Sequence, residues 1–202
     1  MYVPKHFSAD DRGQMDAVIR ANPFGLLVGE LDGSPFATHL PFLLEGDSLL
    51  AHFARGNPHW KAIDGAREML AVFSGPHAYV SPRWYESGQA VPTWNYAAVH
   101  VYGAPRIVDD AGRVRGMLDR LVAEYEGDAW SLAGQDADFL DRMSRGIVAF
   151  EMPVARIEGK FKLSQNRPVE DRRGVIAELE GGGDMERDLA RMMRAALQRA
   201  GE

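Results

Sequence analysis

Apolar and polar positions alternate with a period of two through most of the middle of the chain. They change to helical spacing near the start, after residue 113 and in the last third, so the pattern predicts a mainly β protein with added helices. Ser8 followed by Asp11, with Met15, Val18 and Ile19 spaced for one helix face, predicts a capped helix that ends at Asn22-Pro23. The apolar runs 24–28 and 34–44 flank Asp32-Gly33, the signal of a two-residue hairpin. Pro41 brings no ladder donor, so the second strand is expected at an edge or a bulge, or where something other than a strand lies alongside. Glu45-Gly46-Asp47 then turns the chain into a third strand, 48–54. Residues 69–73 read as a short strand closed by Ser74-Gly75-Pro76, and 77–82 extend the chain again before an aromatic-bearing loop from Arg83 to Gln89. Residues 105–108 continue strand chemistry to the turn Asp109-Asp110-Ala111-Gly112. Beyond it, Met117, Leu118, Leu121 and Val122 share a helix face, and 136–143 form a second helical stretch; both read as packing elements. Residues 147–159 read as one long strand bent at Pro153. The tail reads as a helix over 170–180, a break at Gly181-Gly182-Gly183, and an amphipathic helix over 184–200 with Met185, Leu189, Met192, Met193 and Leu197 inward.

One stretch has more polar aromatics than a core strand needs. In residues 91–103 alternation puts Thr93, Asn95, Ala97, Val99 and Val101 on one face, and Trp94, Tyr96, Ala98, His100 and Tyr102 on the other. The same residues suit a strand that touches a ligand and a half-buried barrel strand whose Trp, Tyr and His are satisfied within the fold. Two polar clusters accompany it. Arg55-Gly56-Asn57-Pro58-His59-Trp60-Lys61 joins a strand end to a helix start and carries two cations, the chemistry of an anion site or of a solvated turn. Lys160-Phe161-Lys162-Leu163-Ser164-Gln165-Asn166-Arg167 sets three cations beside Ser, Gln and Asn, or is a helix-entry loop with solvated lysines.

The 202 residues support one good-sized core with no evident linker, which gives a single domain over 1–202 with a C-terminal helical extension over about 168–202. A formal charge of -6 argues against a broad nucleic-acid or anionic-membrane surface, so DNA or a protein partner finds no support in the charge. The absence of cysteine removes disulfides, thiolate metal sites and thiol nucleophiles, and suits a reducing cytoplasm. There is no apolar signal-type run and no segment long enough to span a bilayer. Zinc-protease, P-loop, Rossmann and serine-hydrolase patterns are missing, and the 6 histidines are too scattered for a compact metal site, so no metal is expected. Cations at strand ends, Thr/Ser/Asn/Gln donors and Trp/Tyr faces suit a flat heteroaromatic carrying a phosphate.

Several short motifs resemble one family in order and register: Met1-Tyr2-Val3-Pro4-Lys5-His6-Phe7, Ala37-Thr38-His39-Leu40-Pro41, Ala51-His52-Phe53-Ala54-Arg55-Gly56-Asn57-Pro58-His59-Trp60, Gly75-Pro76-His77-Ala78-Tyr79-Val80-Ser81-Pro82, Val91-Pro92-Thr93-Trp94-Asn95-Tyr96 and Gly159 to Arg167. Together they are similar to the PaiB family of FMN-binding negative transcriptional regulators, over nearly the whole chain. The resemblance implies a split β-barrel related to pyridoxamine-phosphate oxidases, a homodimer with FMN at the subunit interface, and repression of genes for protease production and sporulation. It further implies that Arg55, Asn57, His59 and Lys61 hold the phosphate with Trp60 nearby, and that Thr93, Trp94, Asn95 and Tyr96 face the ring. Lys160, Lys162, Ser164 and Asn166 are further cofactor candidates. Where pyridoxamine-phosphate oxidases carry an Arg-Gln pair this chain has Ala97-Ala98, so that family's flavin contacts and oxidase activity do not transfer. A small flavin-dependent oxidoreductase and a heme-binding relative are the alternatives; no catalytic residue stands out.

Overall fold

The computed structural model describes residues 1–88 and 90–201; Gln89, the end of the expected aromatic loop, and Glu202, the end of the expected single domain, lie outside them. In chain order the elements are β1 (Ser8–Ala9), α1 (Arg12–Ala21), β2 (Phe24–Leu31), β3 (Ser34–Pro41), β4 (Leu43–Glu45), β5 (Ser48–Ala54), β6 (Met69–Val80), β7 (Thr93–Gly103), β8 (Arg106–Ile107), α2 (Ala111–Glu126), α3 (Ala137–Arg145), β9 (Ile147–Pro153), β10 (Arg156–Lys162), α4 (Val169–Glu180) and α5 (Asp184–Arg199). They make two compact units interleaved in sequence. One comprises Met1–Asn22, Ser74–His100 and Glu158–Glu202, the other Pro23–Phe73 and Val101–Ile157.

In the second unit the hairpin forms at Asp32 and Gly33, whose φ angles of 52° and 76° are those a tight two-residue turn demands. It sets β2 against β3 from Leu31↔Ser34 to Phe24↔Pro41. As expected from Pro41, β3 is an edge strand. A separate sheet runs in the order β4-β5-β9-β8, with β5 and β9 in register from Ser48↔Pro153 to Ala54↔Ile147. Phe53 and Phe150 stack inside it with ring centroids 4.9 Å apart, and Leu49 and Met152 are fully buried beside them. Burying side chains of this size supplies roughly 1.5–3 kcal/mol each, which holds the two central strands β5 and β9 in the core. Asp110 caps α2 by accepting from the Arg113 N–H, and Met117 packs on Leu50, Val108 and Ala149. The packing role expected of the second helical stretch is not what α3 shows: it buries no residue, and Phe139 and Met143 are exposed.

In the first unit β1, β10, β7 and β6 are neighbours in that order. Gly159 sits where a Cβ would lie 2.7 Å from the Ala9 Cβ, so only glycine lets β10 come this close to β1. Helices α4 and α5 bury Val175, Ile176 and Leu179 together with Leu189, Ala190, Met193 and Leu197; Met185, expected inward, is exposed.

Three boundaries differ from the pattern. The cap of α1 is Asp11, which accepts from the N–H groups of Gly13 and Gln14, whereas Ser8 pairs in β1. The Ser74-Gly75-Pro76 segment does not close a strand, because β6 runs straight through it. There the buried parity passes from odd at Gly75 to even at Ala78, the shift that one extra residue in a strand produces. The single strand expected over 147–159 is two strands in different sheets, parted at Val154 and Ala155, whose N–H groups turn to the carbonyls of Asp47 and Tyr102.

Candidate functional site

The turn after β5 is built by hydrogen bonds that consume most of its own polar groups. Asn57 caps the short 3-10 turn Pro58–Ala62, its Oδ1 accepting from the His59 N–H at 3.0 Å. Its Nδ2 donates to Thr38 Oγ1 at 3.2 Å, and Thr38 Oγ1 is hydrogen-bonded to His59 Nδ1 at 2.9 Å. His59 is fully buried, its ring 5.0 Å from that of Phe36 and 5.5 Å from that of Phe53, and its Nε2 has no partner among the described residues. It has no surface to present to a cofactor, so the contact role expected of it becomes a positioning role under the turn. Arg55 donates through Nε to the Arg145 carbonyl and through Nη2 to the Ile147 carbonyl, both at 2.7 Å. It therefore caps the C-terminus of α3, and only its remaining N–H groups are left for an anion. Trp60 donates to the Arg55 carbonyl at 3.1 Å. Lys61 is exposed and free of any ion pair among the described residues, so it is the turn's uncommitted cation.

The β7 stretch alternates as the sequence predicts. Asn95, Ala97 and Val99 are buried, while Trp94, 53% exposed, and the half-buried Tyr96 occupy the other face. Asn95 is thus on the wrong side to face a ring: its Nδ2 donates to Ser164 Oγ at 2.8 Å and approaches Met193 Sδ at 3.5 Å. Ser164, also buried, is held at φ 62°, a conformation costly for a side chain other than glycine. Both Asn95 and Ser164 leave the list of contact residues and join the inner support. On the open face Lys162 Nζ donates to Thr93 Oγ1 and to the Trp94 carbonyl. Lys160 Nζ lies 5.4 Å from the Tyr96 ring centre and 5.3 Å from that of Tyr2. Burial, reinforced by the charge of Lys160, pulls the Lys162 ammonium below its ordinary pKa. No carboxylate pairs with either lysine among the described residues, so an anion set beside them relieves the repulsion. The Trp94 ring lies 6.1 Å from His77 and 6.4 Å from Tyr79, edge-on to the latter. Asn166 is exposed on the turn that follows Ser164.

Sequence reasoning passed over Thr38, Tyr2, His77 and Tyr79 as site residues, although all four lie in motifs it singled out; each meets its neighbours only once the chain is folded. A consequence for stability follows from the histidines. Burial lowers the pKa of His52, His59 and His100, so each stays neutral in the fold but is protonated below about pH 6.5 when unfolded. Their contribution is complete above that pH and is lost on acidification. The urea midpoint is expected to drop between pH 7.5 and 5.5, and an unchanged midpoint would contradict this.

An antiparallel two-sheet protein with an aromatic and lysine-bearing strand face and a cation-bearing turn is of the split-barrel class. Comparison with solved structures supports the fold: the chain superposes on the flavocytochrome Anf3 from Azotobacter vinelandii with a TM-score of 0.66 at 18% identity, over 85% of this chain and 78% of that one. It superposes on the FAD and heme binding protein from Mycobacterium smegmatis with a TM-score of 0.65 at 18% identity, over 87% and 80%. Residues 1–156 match the family model described as "Putative FMN-binding domain", and the chain belongs to that family, the PaiB family its motifs resemble. It is 36% identical over 188 residues to the protease synthase and sporulation protein PAI 2 of Bacillus subtilis strain 168, covering 89% of each chain. An uncharacterised protein of Saccharomyces cerevisiae is 32% identical over 154 residues, 62% of this chain and 90% of that one.

FMN is the cofactor of this family, and the donor set fits it: lysines without carboxylate partners among the described residues suit a phosphate, and exposed indole and phenol rings suit a tricyclic head. Among the described residues no helix is long and apolar enough to cross a membrane.

Proposed function

We propose that this chain is a PaiB-like negative transcriptional regulator that acts as a homodimer with FMN at the subunit interface, repressing protease production and sporulation genes. The observation that carries the flavin part is the open face of β7 and β10, where Trp94 and Tyr96 stand beside Lys160 and Lys162, which have no carboxylate partner among the described residues. Trp94 and Tyr96 offer contact area for the ring, and Thr93 orients Lys162. The exposed rings of Tyr2, Tyr79 and Trp94 also favour a covering partner, and a second copy of the chain is the simplest. The regulatory part rests on the likeness to the PAI 2 protein.

Lys162→Met keeps the apolar stem and removes the charge. FMN affinity measured by fluorescence titration is expected to fall about tenfold to a hundredfold, the worth of one charged hydrogen bond. An unchanged affinity would remove the flavin from this face. The phosphate role of the turn falls to Lys61 and is tested by Lys61→Ala; Arg55, fixed on the carbonyls of Arg145 and Ile147, is left out of it. Light scattering on the purified protein tests the dimer; a monomer would sink that part and leave the flavin part standing.

Direct reading of DNA by α5 has little behind it. Arg187, Arg191 and Arg194 each pair with a carboxylate, from Asp184, Asp188 and Glu180.

A further inference from the structure

The second unit contains a cavity of about 450 Å³, within the ~300–1,000 Å³ span of ligand pockets, and most of its lining takes no part in the flavin reading. Its apolar wall is made by Ile107, Val108, Val114, Ile147 and Val148. Arg55, Arg115 and Arg145 supply positive charge to it, Asp109 and Asp141 negative charge, and Ser144 a hydroxyl. Arg115 is held by Asp119 at 3.2 Å. Arg145 has no side-chain partner among the described residues. Arg55 is fixed on the carbonyls of Arg145 and Ile147, which orient its guanidinium without cancelling the charge, so two cations with no ion pair among the described residues sit at the α3 end of the apolar wall. That is a preorganised seat for one planar anion with an apolar body behind it. A dianionic phosphate would meet repulsion from Asp109 and Asp141, which a single carboxylate meets less.

We propose that this cavity is a second ligand site, separate from that of the flavin, which takes an amphiphilic carboxylate: the head against Arg145 and the free N–H groups of Arg55, the body along Ile107, Val114 and Ile147. Trp60 also lines it, which places the occupant next to the turn that bears Lys61. Such a molecule is a small-molecule effector, and it contacts the turn through Arg55 and Trp60.

The test uses octanoate and octylammonium, equal in length and opposite in charge, on the full chain with and without saturating FMN. Octanoate is expected to raise the melting temperature in both states, since a ligand bound by the native state alone stabilises it. Octylammonium is expected to leave it unchanged. Arg145→Ala, at an exposed helix end, should weaken octanoate by about tenfold or more, and Ser144→Trp should block it by filling the cavity. No shift with octanoate, an equal shift with octylammonium, or undiminished octanoate binding by both variants would overturn the proposal. Mutual exclusion of octanoate and FMN would overturn the separateness of the site, while loss of FMN binding alone would leave the proposal standing and remove only the flavin reading.

Discussion

Replacing Asp171 by alanine is expected to cost about 3–4 kcal/mol and to release the aromatic loop before β7. Asp171 lies in the first turn of α4 with 1% of its surface exposed. Its Oδ1 accepts the N–H groups of Glu86 and Ser87, both at 2.9 Å, and its Oδ2 accepts the Ser87 hydroxyl. Three bonds to one carboxylate would exceed this figure if they added, but they act as a unit, so losing them together costs less than their sum. Burial by itself would raise the Asp171 pKa; the Ser87 hydroxyl, the N–H groups of Ser87 and Glu86, and the charge of Arg167 outweigh it and hold the carboxyl below the usual aspartate range. The contribution is therefore present at neutral pH and is lost as the pH falls through that lowered value. Urea unfolding checks the size: a midpoint within error of the parent would refute the latch. Asp171→Asn, which keeps an oxygen for the N–H donors, should fall between the two. The loop so held contains Trp84 and Tyr85, with Arg167 4.7 Å from the Tyr85 ring centre, and leads the chain into Thr93 and Trp94. The alanine variant is expected to bind FMN more weakly as well.

What was legible in the sequence is what local chemistry decides. The Asp-Gly hairpin could be read because few residues tolerate the positive φ it needs, and the inward and outward faces of β7 because a strand has period two. The cap of α1 was ambiguous on its own terms. Ser8 and Asp11 both precede the apolar face, and the structure resolves the choice because the Asp11 carboxylate accepts from the N–H groups of Gly13 and Gln14 and, at 3.0 Å, from Gln14 Nε2. Ser74-Gly75-Pro76 reads as a stop, yet β6 continues, since Gly75 is a packing position: a Cβ there would lie 3.2 Å from both Ala97 and Val18. In the site the cations and rings were visible as residue types, but their assignments were not. Arg55 meets carbonyls 90 and 92 residues away, and Asn95 meets Ser164 across 69 residues. No local pattern reports such partners, so a polar residue near a ligand and one that props the strand beneath it look alike until the chain is folded.

Gly174→Ala is the case in which local chemistry and packing predict opposite signs. Gly174 lies inside α4, where alanine is normally better than glycine by about 1 kcal/mol. On helix propensity alone the substitution is therefore a stabilising one. At this position, however, the added Cβ would stand 2.2 Å from the carbonyl oxygen of Trp84, and backbone cannot swing aside as the end of a flexible side chain does. The loop that would have to retreat is the one pinned by Asp171 one turn earlier on the same helix, so relief at Gly174 strains the bonds to Glu86 and Ser87. Overpacking of this kind costs about 1–3 kcal/mol, occasionally more, and here it has to exceed the propensity gain before any loss is seen. A contact of 2.2 Å with backbone belongs at the upper end of that span, about 3 kcal/mol, so a net loss of about 2 kcal/mol is expected in urea unfolding. Since the clash and the latch act through one loop, Gly174→Ala combined with Asp171→Ala should cost less than the sum of the two, because a loop already released can move away from the new methyl. Additive losses, or a gain from Gly174→Ala alone, would show that the carbonyl of Trp84 yields freely and that the loop is not held by α4.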